Sequence, residues 1–269
     1  MAMKTLYLRS VGLSAPGLPT WSAAQPVLRG EQPHVAADPP PYQPQLLPPN
    51  ERRRATPAIR QAFRAAEDAT TGVGIDPATL ASVFVSSDAD LGIIHRISGA
   101  LAEPTHLVSP TDFHNSVHNA ASGYWSIATQ NRLPSTTLCA YDASFAAGLI
   151  EAATLSSAEA LDTLLVSYDV PGPPVLDDKR HFACAASCAL ILSARAGHEE
   201  LPRLSLSLQD GCASSLSDPA LEGLRLGNPA LRALPLLQLL ACGDGGYVFL
   251  EAPAGCVLRV DIEAGRSPP

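Results

Sequence analysis

Clustered positive charge is missing from this chain. Its 269 residues carry 18 Lys and Arg against 26 Asp and Glu, a formal net charge of -8, which leaves no basic surface to neutralise the phosphates of a nucleic acid. The one basic run, Arg52 to Arg54, stands at the expected start of a helix and reads as a solvated face. Apolar runs of bilayer-spanning length are missing too. The opening residues, MAMKTLYLRSVGLSAPG, hold a single lysine and no apolar stretch of signal-peptide length, so no membrane contact and a cytoplasmic location are expected. The six cysteines, Cys139, Cys184, Cys188, Cys212, Cys242 and Cys256, lack paired metal-ligand spacing, which predicts reduced core thiols and no metal or cofactor. Neither a GxSxG elbow, a GxxxxGK[ST] phosphate loop nor a GxGxxG fingerprint occurs, and the glycine-rich GDGGYVF reads as a turn between helix and strand.

What the chain does have is apolar bulk: 46% of its residues are hydrophobic, enough for a substantial core. A first strand is expected at 4–13, then an irregular proline-rich arm from Pro16 to Pro49, because proline at that density opposes both pairing and helix continuation. From Asn50 the text becomes regular. A helix entered through Asn50 or Thr56 returns Ile59, Phe63 and Ala66 to one face. Strand candidates at 82–87, 106–110, 135–140 and 162–170 alternate with helices at about 90–101, 115–130 and 143–156. That alternation predicts an α/β fold with a mostly parallel, doubly covered sheet. Runs at 181–194 and 203–211 are close enough in sequence to pair antiparallel, and a tail helix at 228–241 precedes two further strands. The expected organisation is an N-terminal strand and arm over 1–49, a main domain over 50–215, and a C-terminal helix and strands over 216–269 packed on the same domain.

The most informative segment is SPTDFHNSVHNAASGYWSIATQNRLPSTTLCAYDASFAAGLIEAA, residues 109–153. Ser109-Pro110, then Asn119-Ala120-Ala121-Ser122-Gly123, then Leu133-Pro134-Ser135 and a strand resemble the landmarks of the thiolase-fold ketosynthases. In that family a nucleophilic cysteine stands at the strand-to-helix turn that follows. Counting on from Pro134 in the same register, the nucleophile position falls on Asp142. A carboxylate there forms no stable acyl-enzyme comparable to a thioester, although it suits a helix N-terminus and could cap the helix beginning near Ala143. Cys139, three residues earlier inside an apolar strand, would be a buried and unreactive thiol. The family's two C-terminal histidine motifs have no counterpart: after residue 156 only His181 and His198 remain, neither in such a context. His114 and His118 would share a helix face, but with no third ligand or HExxH glutamate they do not make a metal site.

Covering residues 80–195 best, the resemblance implies a thiolase-like fold truncated to the N-terminal half of a ketosynthase, with a short α+β tail. The wording is similar to the chain-length factors of aryl polyene clusters. By that similarity the chain would be a catalytically silent subunit that pairs with a full-length ketosynthase, meets the acyl carrier protein through the complex, and shapes the partner's acyl channel in polyketide or fatty-acid-like synthesis. No catalytic residue is then expected. Ile93, Ile94, Phe113, His114, Val117, Thr137, Leu138 and Cys139 are the channel and interface candidates, with Phe113 as a buried aromatic wall. An apolar edge strand at 135–140 would be an aggregation hazard if left unpaired. Two other readings stay open: an active acyltransferase or thiolase-like enzyme using Cys139 with His118 or His181, and a stand-alone scaffold.

Overall fold

In a computed structural model, residues 5–265 are described except 196 and 199; residue 4 of the expected first strand and residues 266–269 of the expected C-terminal segment lie outside the described residues. One eight-stranded sheet organises the chain, in the order β3-β2-β4-β5-β1-β6-β8-β7. Its strands are β1 (Leu6–Ser14), β2 (Ala81–Val85), β3 (Ser135–Leu138), β4 (Thr163–Asp169), β5 (Ala186–Ser193), β6 (Arg203–Gln209), β7 (Gly246–Glu251) and β8 (Val257–Glu263). Only β2 with β3 and β2 with β4 pair in parallel; every other neighbouring pair is antiparallel. The sheet is therefore mixed rather than mostly parallel. The expected pairing of β5 with β6 also fails, because β1 enters between them and pairs with both.

Helices cover both faces where the strands are most apolar. On one face lie α3 (Pro57–Thr71) and α6 (Ala120–Thr129), which bury Phe63 and Trp125 against Phe84 and Leu164. On the other lie α1 (Trp21–Leu28), α7 (Ser144–Glu159) and α9 (Leu234–Cys242), packed in a second core with Val83, Val85 and Leu165. β2 and β4, enclosed from both sides, are buried at every position, which is why they read as unbroken apolar runs rather than alternating ones. Contact with α7 is close. A Cβ added to Gly148 would lie 2.5 Å from Val85 Cγ1 and 2.8 Å from Leu165 Cδ1, so only glycine lets this helix lie so near the strands.

Local chemistry sets the helix starts. α2 (Pro49–Arg54) ends before Ala55, and a separate helix starts where Thr56 accepts a hydrogen bond from the Ile59 N–H and Pro57 opens the first turn of α3. Asp90 likewise caps α4 (Leu91–Ala102), accepting from the Ile93 N–H at 3.1 Å. Three expectations are corrected. The proline-rich stretch contains α1, capped by Thr20 and anchored by buried Ala24, Val27 and Leu28; its apolar contacts outweigh the hydrogen bond that Pro26 removes. The expected strand at 106–110 is irregular chain with Leu107 78% exposed, because a short β-branched run makes a strand only where a neighbour is there to pair with it. The expected helix 115–130 is broken into α5 (Pro110–Asn115) and α6. A further helix, α8 (Pro219–Gly227), is started by Asp218 and Pro219. No helix among the described residues is long and apolar enough to cross a membrane.

Candidate functional site

The carboxyl ends of β2, β3 and β4 lie side by side, and the residues at and just past them form a polar cluster. From β3 the chain passes through Cys139 and Ala140 into a tight 3-10 turn, Tyr141–Ala143, and then into α7. Tyr141 takes a left-handed φ of +54°, uncommon for a large side chain and a sign of local strain. Ser144 Oγ stabilises the bend, accepting from the Ala140 N–H at 2.9 Å and donating to Tyr141 O at 2.7 Å.

Asp142 sits in this turn. It does not cap α7, whose N-cap is Ala143 without a side-chain bond. Its Oδ1 pairs with Arg180 Nη1 at 2.7 Å, and its Oδ2 lies 3.8 Å from Arg232 Nη2. Arg180 also donates from Nε to Asp88 Oδ2 at 2.5 Å, and Arg232 Nε is 3.6 Å from Glu251. Desolvation acts to lower the pKa of Arg180, but its bonds to Asp88 and Asp142 outweigh that and hold it above the ordinary value. What stands at the strand-to-helix turn is thus a carboxylate in a network of ion pairs.

Beside it, Asp169 ends β4 and is 1% exposed. Its Oδ1 accepts from the Ser86 hydroxyl at 2.9 Å and from the Ser87 N–H and hydroxyl at 2.8 Å each, tying β4 to the chain that leaves β2. Oδ2 has no hydrogen-bond partner among the described residues. Burial pushes this carboxyl up to about 7 despite the serine donors, and the nearby charge of Asp88 adds to the rise.

Cys139 is not buried as expected; the residue is exposed. Its thiol donates to Ser87 O at 2.8 Å. Partial desolvation, reinforced by the charges of Asp88 and Asp169, raises its pKa, which disfavours the thiolate. All six cysteines are free, and only Cys188 is fully buried; Cys212 and Cys242 are exposed like Cys139, so they are not core thiols as a set.

The other candidates spread over one flank. Ile93 is 1% exposed and faces the protein's own interior, so it has no free surface for a channel. Ile94 and Val117 are half-exposed and line a narrow cleft with Thr56, Ile59, His118 and Tyr168; its free volume is about 40 Å³, room for a few waters. Phe113 is 71% exposed, not a buried wall. His114 is exposed, its ring edge-on to Tyr124 at 6.3 Å. His114 and His118 do not share a helix face, because α5 stops at Asn115. Among the described residues no cluster of His, Cys, Asp or Glu has metal-site geometry. Thr137 and Leu138 are half-buried on β3, the open edge of the sheet. The Thr137 hydroxyl shares a hydrogen bond with Ser122 of α6 at 2.9 Å. A wider polar groove of about 430 Å³ runs there, lined by His118, Asn119, Ser122, Gly123, Ser135 and Thr137.

Sequence reasoning missed Asp88, Asp169, Arg180 and Arg232. Asp169 is the last residue of β4 and Asp88 lies three residues past β2, at the strand ends where α/β sheets gather functional groups, and both could have been flagged on that ground. Arg180 lies in irregular chain and Arg232 in a short 3-10 turn, with no local signal to mark either.

Residues 21–229 match the family model of the beta-ketoacyl synthase N-terminal domain. The chain belongs to the beta-ketoacyl synthase family. Its fold is the thiolase-like fold of the ketosynthases, as solved structures show. A chain of the ketosynthase ApeO in complex with its chain length factor ApeC, from Xenorhabdus doucetiae, is 23% identical with a TM-score of 0.71, covering 96% of this chain and 99% of that one. A chain of the ishigamide ketosynthase/chain length factor is 14% identical with a TM-score of 0.73, covering 97% and 99%. The ketosynthase from module 1 of the bacillaene synthase of Bacillus amyloliquefaciens FZB42 is 13% identical with a TM-score of 0.56. That match covers 83% of this chain but 50% of the larger one. No curated protein sequence matches.

Proposed function

We propose that this beta-ketoacyl synthase family member is a non-catalytic subunit, a chain-length factor that pairs with a full-length ketosynthase and shapes its acyl channel in aryl polyene synthesis. The observation that carries the reading is Asp142. At the strand-to-helix turn where the family's sequence register puts the nucleophile, this chain has a carboxylate committed to Arg180 at 2.7 Å. Such a group neither accepts an acyl chain as a thioester nor is free to act as a base. Cys139 is a weak substitute, since its environment raises rather than lowers its pKa.

The pairing is supported by the open β3 edge, by exposed Ile127 on α6, the helix that packs on β3, and by the exposed apolar side chains Ile94, Phe113 and Val117, since exposed apolar surface marks protein interfaces. Likeness to complexes described as a ketosynthase with its chain length factor agrees with it. Co-expression with a full-length ketosynthase, followed by native mass spectrometry, should give a 1:1 complex. Intact-mass analysis after incubation with acyl carrier protein should show no acyl adduct on this subunit. A stable thioester on Cys139 would reject the non-catalytic reading, and a well-behaved monomer indifferent to the ketosynthase would reject the pairing.

A further inference from the structure

We propose that Arg180 straps the silent site shut: its guanidinium fills the approach to residue 142, so that the pocket would refuse an acyl thioester even if a thiol stood there. This rests on the reading of Asp142 as the occupant of the nucleophile position. Arg180 belongs to the segment 170–185 between β4 and β5, which holds a 3-10 turn at Pro174–Leu176. A local turn, with the Lys179 and Arg180 N–H groups donating to Leu176 O at 2.9 and 2.7 Å, presents its side chain.

Four contacts then hold the guanidinium in place. It bonds Asp142 and Asp88, and its central carbon stands 3.7 Å from the ring centroid of Tyr141 and 4.8 Å from that of Phe182. A planar guanidinium can fork to two carboxylates while stacking on aromatic faces; an ammonium cannot. The left-handed backbone of Tyr141 belongs to the same arrangement, since that residue supplies one of the stacking rings.

The blocked step is thioester exchange. A thiolate at residue 142 would attack the carbonyl carbon of an acyl thioester and form a new C–S bond. The old C–S bond breaks, and the departing thiolate takes a proton from solvent. For this the carbonyl must reach about 3–3.5 Å from the sulfur. Arg180 Nη1 already stands 2.7 Å from Asp142 Oδ1, on the ground the carbonyl needs, and Arg232 flanks the second oxygen at 3.8 Å.

The test compares the full chain carrying Asp142→Cys with the same chain carrying Arg180→Ala in addition. Each is treated with iodoacetamide and with octanoyl-N-acetylcysteamine thioester, and modification of residue 142 is read by peptide mass mapping. With Arg180 present, the cysteine should alkylate with a pH midpoint below the ordinary thiol value of about 8.5 and acylate only slowly. Removing Arg180 should raise that midpoint and slow alkylation at pH 7, while octanoyl transfer speeds up about tenfold or more, one factor of ten being about 1.4 kcal/mol of barrier. Opposite movement of the two rates is the signature; a loosened structure would speed both and overturn the proposal. Should the Ala variant misfold, Asp142→Cys with Arg180→Lys should keep the low midpoint yet gain acylation. Equal octanoyl transfer with and without Arg180, or none in any folded variant, also overturns the strap and leaves the non-catalytic reading intact. Acylation of the unsubstituted protein defeats that underlying reading instead.

Discussion

The central strands and the segment 101–119 both carry large apolar side chains, and these meet opposite fates. β2 and β4 are buried at every position, enclosed between α3 with α6 and α7. In 101–119 the large apolar side chains Leu101, Leu107, Phe113 and Val117 are each more than half exposed, and the one buried residue is Asn115, whose Nδ2 donates to Arg54 O at 3.0 Å. Apolar content alone therefore does not say where stability resides. The first region holds this chain together, whereas the second is an apolar surface whose burial, on the proposed pairing, waits for the ketosynthase.

The sharpest break of that contrast is at α7. Phe145, 1% exposed against the central strands, should cost about 3–5 kcal/mol when replaced by Ala, measured by urea unfolding of the isolated chain. A loss under 1 kcal/mol would mean that the centre is not what holds the fold.

Asp169 gives the next largest effect. Its folded pKa, near 7, lies above the ordinary carboxyl value of about 3.9, so between these values the folded state holds a proton that the unfolded state has lost. Its contribution is then full below about pH 4 and lost as pH rises through about 7, at up to about 1.4 kcal/mol per pH unit. Asp169→Asn should flatten this part of the stability profile, measured by melting between pH 4 and 8. An unchanged slope would show that the carboxyl is ionised throughout.

The open edge should separate the two regions by a different readout. The Ser82 N–H donates to Pro134 O, and by ladder alternation this turns the Thr137 N–H toward the unpaired side of β3. Thr137→Pro should cost the isolated chain about 1 kcal/mol, chiefly the Ser122 hydrogen bond, yet weaken the ketosynthase complex at least tenfold. Binding left intact would show that the edge does not pair. The smallest effect on stability is expected at Phe113, whose 71% exposure limits the change on Phe113→Ala to about 0.5 kcal/mol. In a reconstituted synthase the same substitution should lengthen the product if Phe113 ends the partner's channel. An unchanged length distribution in a stable complex would leave it a generic contact.

By itself the sequence determined many of the local elements and, through the family resemblance, singled out one position. Helix caps at Thr56 and Asp90 and the apolar runs of β2 and β4 depend on neighbours within a few residues, so they could be read before any fold was known. The register from Pro134 to Asp142 needed only the resemblance to the ketosynthases and a count along the chain. Other features came from chain far away. β1 separates β5 from β6 because Leu6 to Ser14 can pair on both sides, a choice that neither loop length nor propensity encodes. Phe113 is exposed because nothing among the described residues covers its ring, and α1 persists across its proline because β1 and α9 cover its apolar face. Above all, the charge that meets Asp142 arrives with Arg180 and Arg232 from segments beyond β4 and α8. The residue type at 142 was legible from the sequence; what surrounds it is a long-range electrostatic fact, which only the tertiary structure could decide.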